Sequence, residues 1–208
     1  MIVATIITYN DIETIKACIE SVKDKVDKII VVDGKYRDFP GEDDCSTDGT
    51  VEYIASLYGE CNLIFNYAER LDEVAKRNVY LTYLKEGDTC LNIDADEMVT
   101  GNIPDLDTDM GRIMIGAGTK NIRHHRTIRF FKFHEGLHYW GRHTLILDKD
   151  DKVFADLQHT GIGYTVKKIK EFELLHRNDL RSEERMADKK KYYKILMARE
   201  AKVNVPAN

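Results

Sequence analysis

The chain has no apolar run approaching the roughly 18 residues that a membrane span needs. It contains no GxGxxG and no GxxxxGK[ST], so neither a dinucleotide fold nor a P-loop is supported. It shows no internal repeat and no low-complexity linker. Its four cysteines, Cys18, Cys45, Cys61 and Cys90, form no CxxC pair, which argues against a disulfide scaffold or a zinc ribbon. The opening MIVATIITYN reads as a strand running into a turn, without the basic start of a secretory leader. Free thiols in a reducing compartment are therefore expected. The 31 basic residues are outnumbered by 36 acidic ones, and a net charge of −5 argues against a nucleic-acid partner. Together these absences describe a cytoplasmic protein of one domain, with peripheral membrane contact left open.

What is present is alternation. Apolar runs at 2–7 and 28–33 suit strands covered on both faces. Ile12, Ile15, Ile19 and Val22 repeat at helical spacing over 11–23, and Asn10 with Glu13 fits a capping box. A polar loop at 34–45 precedes a helix expected over 46–58. A short strand at 62–65, a helix over 69–86 with Gly87 as its C-cap, and a strand at 89–94 complete the first half. This order predicts an α/β fold with a mainly parallel sheet flanked by helices. Beyond residue 105, strands at 112–116, 126–133, 144–148 and 152–157 follow one another with turns between, which predicts a small antiparallel extension. From Val166 onward Ile169, Phe172, Leu175, Met186, Tyr192, Tyr193 and Leu196 fall at helical intervals, which predicts C-terminal amphipathic helices.

The segment LNIDADE (91–97) leaves an apolar strand and at once presents three acids. Residues two apart on a strand point the same way, so Asp94 and Asp96 would share a side. Hard divalent cations take such oxygen ligands, completed by substrate phosphates and water. An acidic turn at a strand end is the alternative. Thr8, Tyr9 and Asn10 after the first strand, Asp33 after the second, and Asp94 and Asp96 after the fourth would converge on one sheet edge. Ligands of such sheets bind there.

At this point the chain resembles a family 2 glycosyltransferase of the GT-A fold. The resemblance rests on TIITYND, IIVVDG, STDGT, KRN (76–78) and LNIDADE, which cover the first hundred residues in the family's order. The DADE form, with RFF…GLHYWGR (129–142) and HTGIGY (159–164), resembles the subgroup that includes lipopolysaccharide-core glucosyltransferases. The resemblance implies a nucleotide-sugar donor, usually linked to uridine diphosphate, a divalent Mn²⁺ or Mg²⁺, and inversion in one displacement. It implies that Thr8, Tyr9 and Asn10 line the base, Asp33 contacts uracil, and Arg77 lies near the base or diphosphate. Asp94 would face ribose or metal, and Asp96 would bind the metal with His159 completing its shell. A GT-A domain at 1–165, with a donor half at 1–100 and an acceptor half at 101–165, would precede a helical segment at 166–208.

The chain departs from the family pattern twice. Residues 35–45 are inserted between Asp33-Gly34 and STDGT, where they would form a lid or acceptor loop. The subgroup's VHE glutamate is replaced by Thr144 or Leu145 in GRHTL. Transfer with inversion needs a base for the acceptor hydroxyl, and Glu135, Asp156 and His143 are the substitutes. The acceptor itself, whether carbohydrate, lipid-linked or protein, is not encoded in any motif. A catalytically weak nucleotide-sugar-binding module or donor hydrolase is the second reading. A nucleotidyltransferase would carry a Gly-rich basic loop after the first strand, which TYND lacks. Arg123, His124, His125 and Arg126 form a basic run that suits an anionic acceptor or a solvated edge. Trp140 suits a sugar ring or a structural anchor. The stretch 188–194 suits anionic lipid or a solvated helix face.

Overall fold

The apolar runs of the first half form strands because helices cover both of their faces. In a computed structural model of the chain, residues 1–117, 125–157 and 159–203 are described. Strands β1 (Ile2–Thr8), β2 (Lys28–Asp33), β3 (Leu63–Tyr67) and β4 (Thr89–Asp94) are parallel neighbours in the order β3-β2-β1-β4. Helices α1 (Ile12–Val22), α2 (Thr50–Ser56) and α3 (Glu73–Leu81) connect them. Alternate strand residues serve opposite layers. Ala4, Ile6, Ile29 and Val31 pack with Ile15, Cys18 and Ile19 of α1. Val3, Ile7, Ile30 and Val32 pack with Tyr80 and Leu81 of α3.

The second half adds β5 (Glu97–Gly101), β6 (Met110–Ala117), β7 (His125–Lys132), β8 (His138–Tyr139), β9 (Leu145–Leu147), β10 (Val153–Asp156), β11 (His159–Thr160), β12 (Val166–His176) and α4 (Glu183–Glu200). The main sheet runs β3-β2-β1-β4-β7-β6-β12-β5, and β8 to β11 form a second, antiparallel sheet. The α/β class and the antiparallel extension thus agree with the sequence.

One connection dictates the shape of the main sheet. Strands β4 and β5 are separated by Ala95 and Asp96 alone, yet they are fourth and eighth in the sheet. Three peptide steps reach about 11 Å at full stretch. Four strand spacings on a flat sheet would need about 19 Å. The sheet therefore curls until its edge strand returns beside the end of β4. That curl places the last residues of β12 against the acids, because His176 pairs with Glu97 and the Arg177 amide donates to the Asp96 carbonyl at 2.7 Å.

Several expectations need correction. The helix expected from Val166 is instead β12, an eleven-residue strand, so only α4 answers to the C-terminal helices. Its pairing with β6 shifts register between Lys168 and Glu173. Such an irregularity breaks the two-residue period, and Ile169 and Phe172, three apart, then both face the core as they would on a helix. A boundary at 165/166 therefore falls at the start of a strand of the main sheet. The capping box at Asn10 and Glu13 does not form: Asp11 is the N-cap residue and makes no side-chain cap bond, while Glu13 accepts from the Ser182 amide. Helix α3 ends at Leu81 rather than near Gly87, and α2 starts at Thr50, leaving Ser46 to Gly49 as a turn.

Gly101 closes this arrangement. Its φ is +89°, and an added Cβ would fall 2.3 Å from the Glu171 carbonyl oxygen. Both the left-handed backbone and the clash with main chain penalise any side chain there. Substituting Gly101→Ala is expected to destabilise the chain by at least ~2 kcal/mol, read as a lower urea midpoint. An unchanged midpoint would show that β5 does not depend on its close passage along β12.

Candidate functional site

The carboxyl ends of β1, β2 and β4 meet at one edge. Thr8 is the register partner of Asp33, and Ile7 that of Asp94. The β1–α1 turn carries Tyr9 and Asn10 over this edge, and α3 brings Arg77 to it. Thr8, Tyr9, Asn10, Asp33, Arg77, Asp94 and Asp96 are thus brought to one region.

Three consecutive residues of α3 hold the region together. Lys76 is fully buried, and its Nζ donates to the Thr8 carbonyl at 2.9 Å and to the Gly34 carbonyl, tying the ends of β1 and β2. Burial pulls its pKa down to about 7. Arg77 donates from Nη1 to Asn92 and from Nη2 to Asp94 at 2.9 Å. Asn78 donates to the Tyr139 carbonyl at 2.9 Å and accepts from the Tyr139 amide at 2.7 Å, anchoring the small sheet.

The acids of DADE face protein cations. Asp94 presents one oxygen to Arg77 and the other to Arg129 Nη2, 2.8 Å away on β7. Burial opposes its ionisation, but Arg129 and Arg77 outweigh it and hold the carboxyl well below the usual range. Asp96 is 2 % exposed and faces Lys189 Nζ, Arg181 Nη2 at 3.4 Å and His176 Nε2 at 3.4 Å. Asp11, at the start of α1, pairs with Arg181 and Arg185. Its burial raises the pKa, yet these two guanidiniums bring it down to about 2. Glu97 accepts the Asp94 amide at 2.9 Å and faces Arg129 at 3.3 Å. Burial beside Asp94 wins over Arg129 there and lifts the Glu97 pKa to about 8.

The inserted segment joins this closure. Tyr36 and Phe39 are buried, and both pack on Tyr192 of α4, with centroids 5.4 and 5.3 Å apart. The Arg185 guanidinium lies 4.5 Å from the Phe39 ring centroid. Insertion and α4 thus meet over the strand ends. Lys189 belongs to the basic stretch read from the sequence as a lipid-facing or solvated surface, but it turns inward to Asp96.

Other sequence candidates lie elsewhere. Glu135 follows β7, which runs antiparallel to β4 and passes Thr89 at Lys132. It is exposed at the opposite end of β4, about 16 Å from the acids by strand rise. Geometry does not bring it to the site. Asp156 accepts from Thr144 at 2.9 Å and faces Arg142 at 3.5 Å. His143 is tied through Nδ1 to Glu200 at 2.7 Å, although it lines a small cavity with Arg77 and Arg129. His159 is exposed on the edge strand β11, and the histidine actually facing Asp96 is His176. Asp33 is 0 % exposed and is occupied by the Ser46 amide at 3.0 Å and the Ser46 hydroxyl at 2.5 Å. Trp140 is exposed. Arg123 and His124 lie outside the described residues.

The donor set does not fit a metal ion as it stands. Among the described residues no three His, Cys, Asp or Glu side chains cluster as ligands would. Both oxygens of Asp94 and Oδ2 of Asp96 already face five positively charged or protonatable side chains. Sequence reasoning missed Arg129, His176, Arg181, Arg185 and Lys189, since nothing in their spacing ties them to residues 94–97.

No protein-family model matches the chain, and no curated protein does. Among solved structures it is similar to TarS of S. aureus. A TarS 1–349 complex with UDP is 22 % identical over 59 % of this chain and 37 % of that one, with a TM-score of 0.46. A complex of the same piece with UDP-GlcNAc is 21 % identical over 59 % and 36 %, with a TM-score of 0.45. Against the longer TarS chain the match covers 23 % of that chain. This chain therefore spans well under half the length of the structures it resembles. No helix among the described residues is long and apolar enough to cross a membrane.

Two consequences follow from the ion pairs. Asp94→Asn removes the charge that both Arg77 and Arg129 face, leaving two buried cations under-compensated. A loss of at least ~2 kcal/mol is expected in chemical denaturation. A neutral effect would mean that the arginines are solvated. For Glu97 the folded pKa is raised, so its contribution is complete below the unfolded value of 4.5 and is lost as pH rises through about 8. Glu97→Gln should fold normally at pH 6 and lack this decline between pH 5 and 8. A decline of equal size in that variant would assign it to other groups.

Proposed function

We propose that the chain is a glycosyltransferase that binds a nucleoside diphosphate sugar, with uridine the expected base, at the carboxyl edge of β1, β2 and β4. The observation that carries this reading is the convergence of the motif residues. Thr8, Asp33 and Asp94 come from three separate stretches of sequence and stand side by side on adjacent strands. Tyr9, Asn10 and Arg77 surround them. An open cleft of about 460 Å³ beside Tyr9 and Asn10 supplies room for a nucleoside.

Transfer requires charge on the departing diphosphate to be stabilised where it develops. Guanidinium groups already fixed by buried carboxylates can do this with little reorganisation. Arg77 is held in place by Asn92 and Asp94.

A second reading is favoured by one observation. None of Glu135, Asp156 and His143 stands free beside the acid cluster, so no acceptor base is evident among them. Donor binding with slow hydrolysis, rather than transfer, would follow.

The test is thermal unfolding with UDP, GDP, dTDP and their sugar conjugates. A matching nucleotide at about 100 times its Kd stabilises by ~2.7 kcal/mol. For a chain of this size that raises Tm by roughly 5–10 °C. Product analysis with the sugar conjugate then separates transfer from hydrolysis. No shift with any nucleotide would sink the donor reading.

A further inference from the structure

We infer that the donor's diphosphate is held by Arg181, Arg185, Lys189 and Arg77 directly, as an oxyanion bound by protein cations without a divalent ion. This rests on the nucleotide-sugar reading and names the binding chemistry of the same site.

The first argument is an imbalance of hydrogen-bonding capacity. Among the described residues five buried side-chain polar atoms have no partner: Nε of Arg77, Arg112, Arg181 and Arg185, and the Tyr192 hydroxyl. Four are donors only, the Tyr192 hydroxyl can donate, and none is a carboxylate oxygen. An unsatisfied buried donor is costly, and native structures rarely leave several together. All but Arg112 belong to residues lining a single cavity of about 50 Å³ at the strand ends. Arg77, Arg181 and Tyr192 are each more than nine-tenths buried. The carboxylates in its lining are Asp11, Asp94 and Asp96, which are already paired, and Glu73, and none of them reaches these donors; an entering acceptor with several lone pairs, such as a phosphoryl oxygen set, would satisfy them. A metal would add a further cation to a cavity that already has surplus donors.

The second argument is placement. The 50 Å³ cavity has room for roughly one phosphate group or a few waters, and it is too small for a nucleotide. The 460 Å³ cleft lies on its other side, and the two share Phe39 and Arg185 as wall. Carboxylates of Glu13, Asp43, Asp48, Glu184 and Asp188 line the larger cleft. They suit ribose hydroxyls and repel phosphate. A nucleoside seated against Tyr9 and Asn10 would thus direct one phosphate of its diphosphate past Arg185 into the small cavity, where Arg77, Arg181, Arg185 and Lys189 stand among the carboxylates of Asp11, Glu73, Asp94 and Asp96. Arg185 holds the Tyr9 carbonyl and Asp11 there.

The third argument concerns the acids themselves. With Asp94, Asp96 and Asp11 already paired, they act as anchors that aim the guanidinium and ammonium groups. Each cation is held by a carboxylate yet keeps donors to spare, since Arg has five N–H and Lys three.

The experiment is calorimetric titration of the full chain with UDP, inorganic pyrophosphate and uridine, each in EDTA and in Mn²⁺. UDP and pyrophosphate should bind in EDTA, within about 3-fold of their affinity in Mn²⁺. Lys189→Gln and Arg185→Gln should each weaken UDP and pyrophosphate at least 10-fold while uridine binding changes less than 2-fold. Two variants guard against a folding defect in either one. UDP binding that appears only with Mn²⁺ would overturn the inference and leave the donor reading intact. Pyrophosphate bound in EDTA without any nucleoside diphosphate would support the anion site and overturn the donor reading. Binding in EDTA that both variants leave unchanged would overturn the inference. So would failure of both ligands to bind under any condition.

Discussion

Asp94 stands between two arginines on two different elements, and much of the molecule is arranged to let it do so. Arg77 comes from α3 and Arg129 from β7, and neither guanidinium could be buried in the interior without a carboxylate opposite. The pair of contacts joins the parallel half of the sheet to the antiparallel half at the point where β4 ends. Asp96, two residues on, makes the same kind of bond to the C-terminal segment. A three-residue stretch, Asp94 to Asp96, thereby ties together the helix before it, the strand beside it and the last helix of the chain. Removing the charge at this centre leaves cations from three directions facing one another.

The curl of the sheet is what makes this possible. Because β5 must follow β4 after two residues, the far edge of the sheet returns to its middle, and β12 arrives with it. His176 and Arg177 then stand against Glu97 and Asp96, and the chain emerging from β12 has only a short path to Arg181, Arg185 and Lys189. The backbone topology delivers the cations; no long excursion is needed. Tyr36 and Phe39 of the insertion then fill the apolar side of α4. This accounts for a loop that reads as polar in sequence yet buries two aromatic rings.

The first hundred residues were largely legible from the sequence because local pattern and long-range partner agree there. Ile29 to Val32 are apolar on both faces and are buried on both. The ends of those strands carry Thr8, Asp33 and Asp94, as the motif order implied. Legibility failed where pairing is decided far away. Ile169 and Phe172 have helical spacing only because β12 slips register against β6. The strand at 97–101 was missed because Glu97 is charged and only Arg129 and β12 justify burying it. Glu135 read as a candidate acid from its neighbours in sequence, but the antiparallel direction of β7 carries it to the opposite end of β4. Lys189 read as part of a lipid-facing or solvated basic stretch, and Arg181 and Arg185 carried no reading, since charged residues in a polar segment give no sign of which carboxylate they will meet.

The same ion pairs decide how the DADE acids should be understood. A carboxylate awaiting a divalent cation keeps its oxygens open or meets water, and the energetic reason for clustering acids is the ion that will neutralise them. Here neutralisation is internal: the cost of burying Asp94 and Asp96 is offset by guanidinium and ammonium groups with donors left over, and Glu97 answers its burial with a raised pKa. Among the described residues, all the unpartnered donors but that of Arg112 belong to residues around one small cavity, while Asp11 and Asp94 have both oxygens engaged. Acids in that position serve to orient cations, and it is the cations that present binding capacity to whatever enters. In the proposed donor complex, an Asp-x-Asp motif of unchanged sequence would thus serve diphosphate recognition through the opposite sign of charge, with Arg181 ahead of α4 and Arg185 and Lys189 on it as the cations.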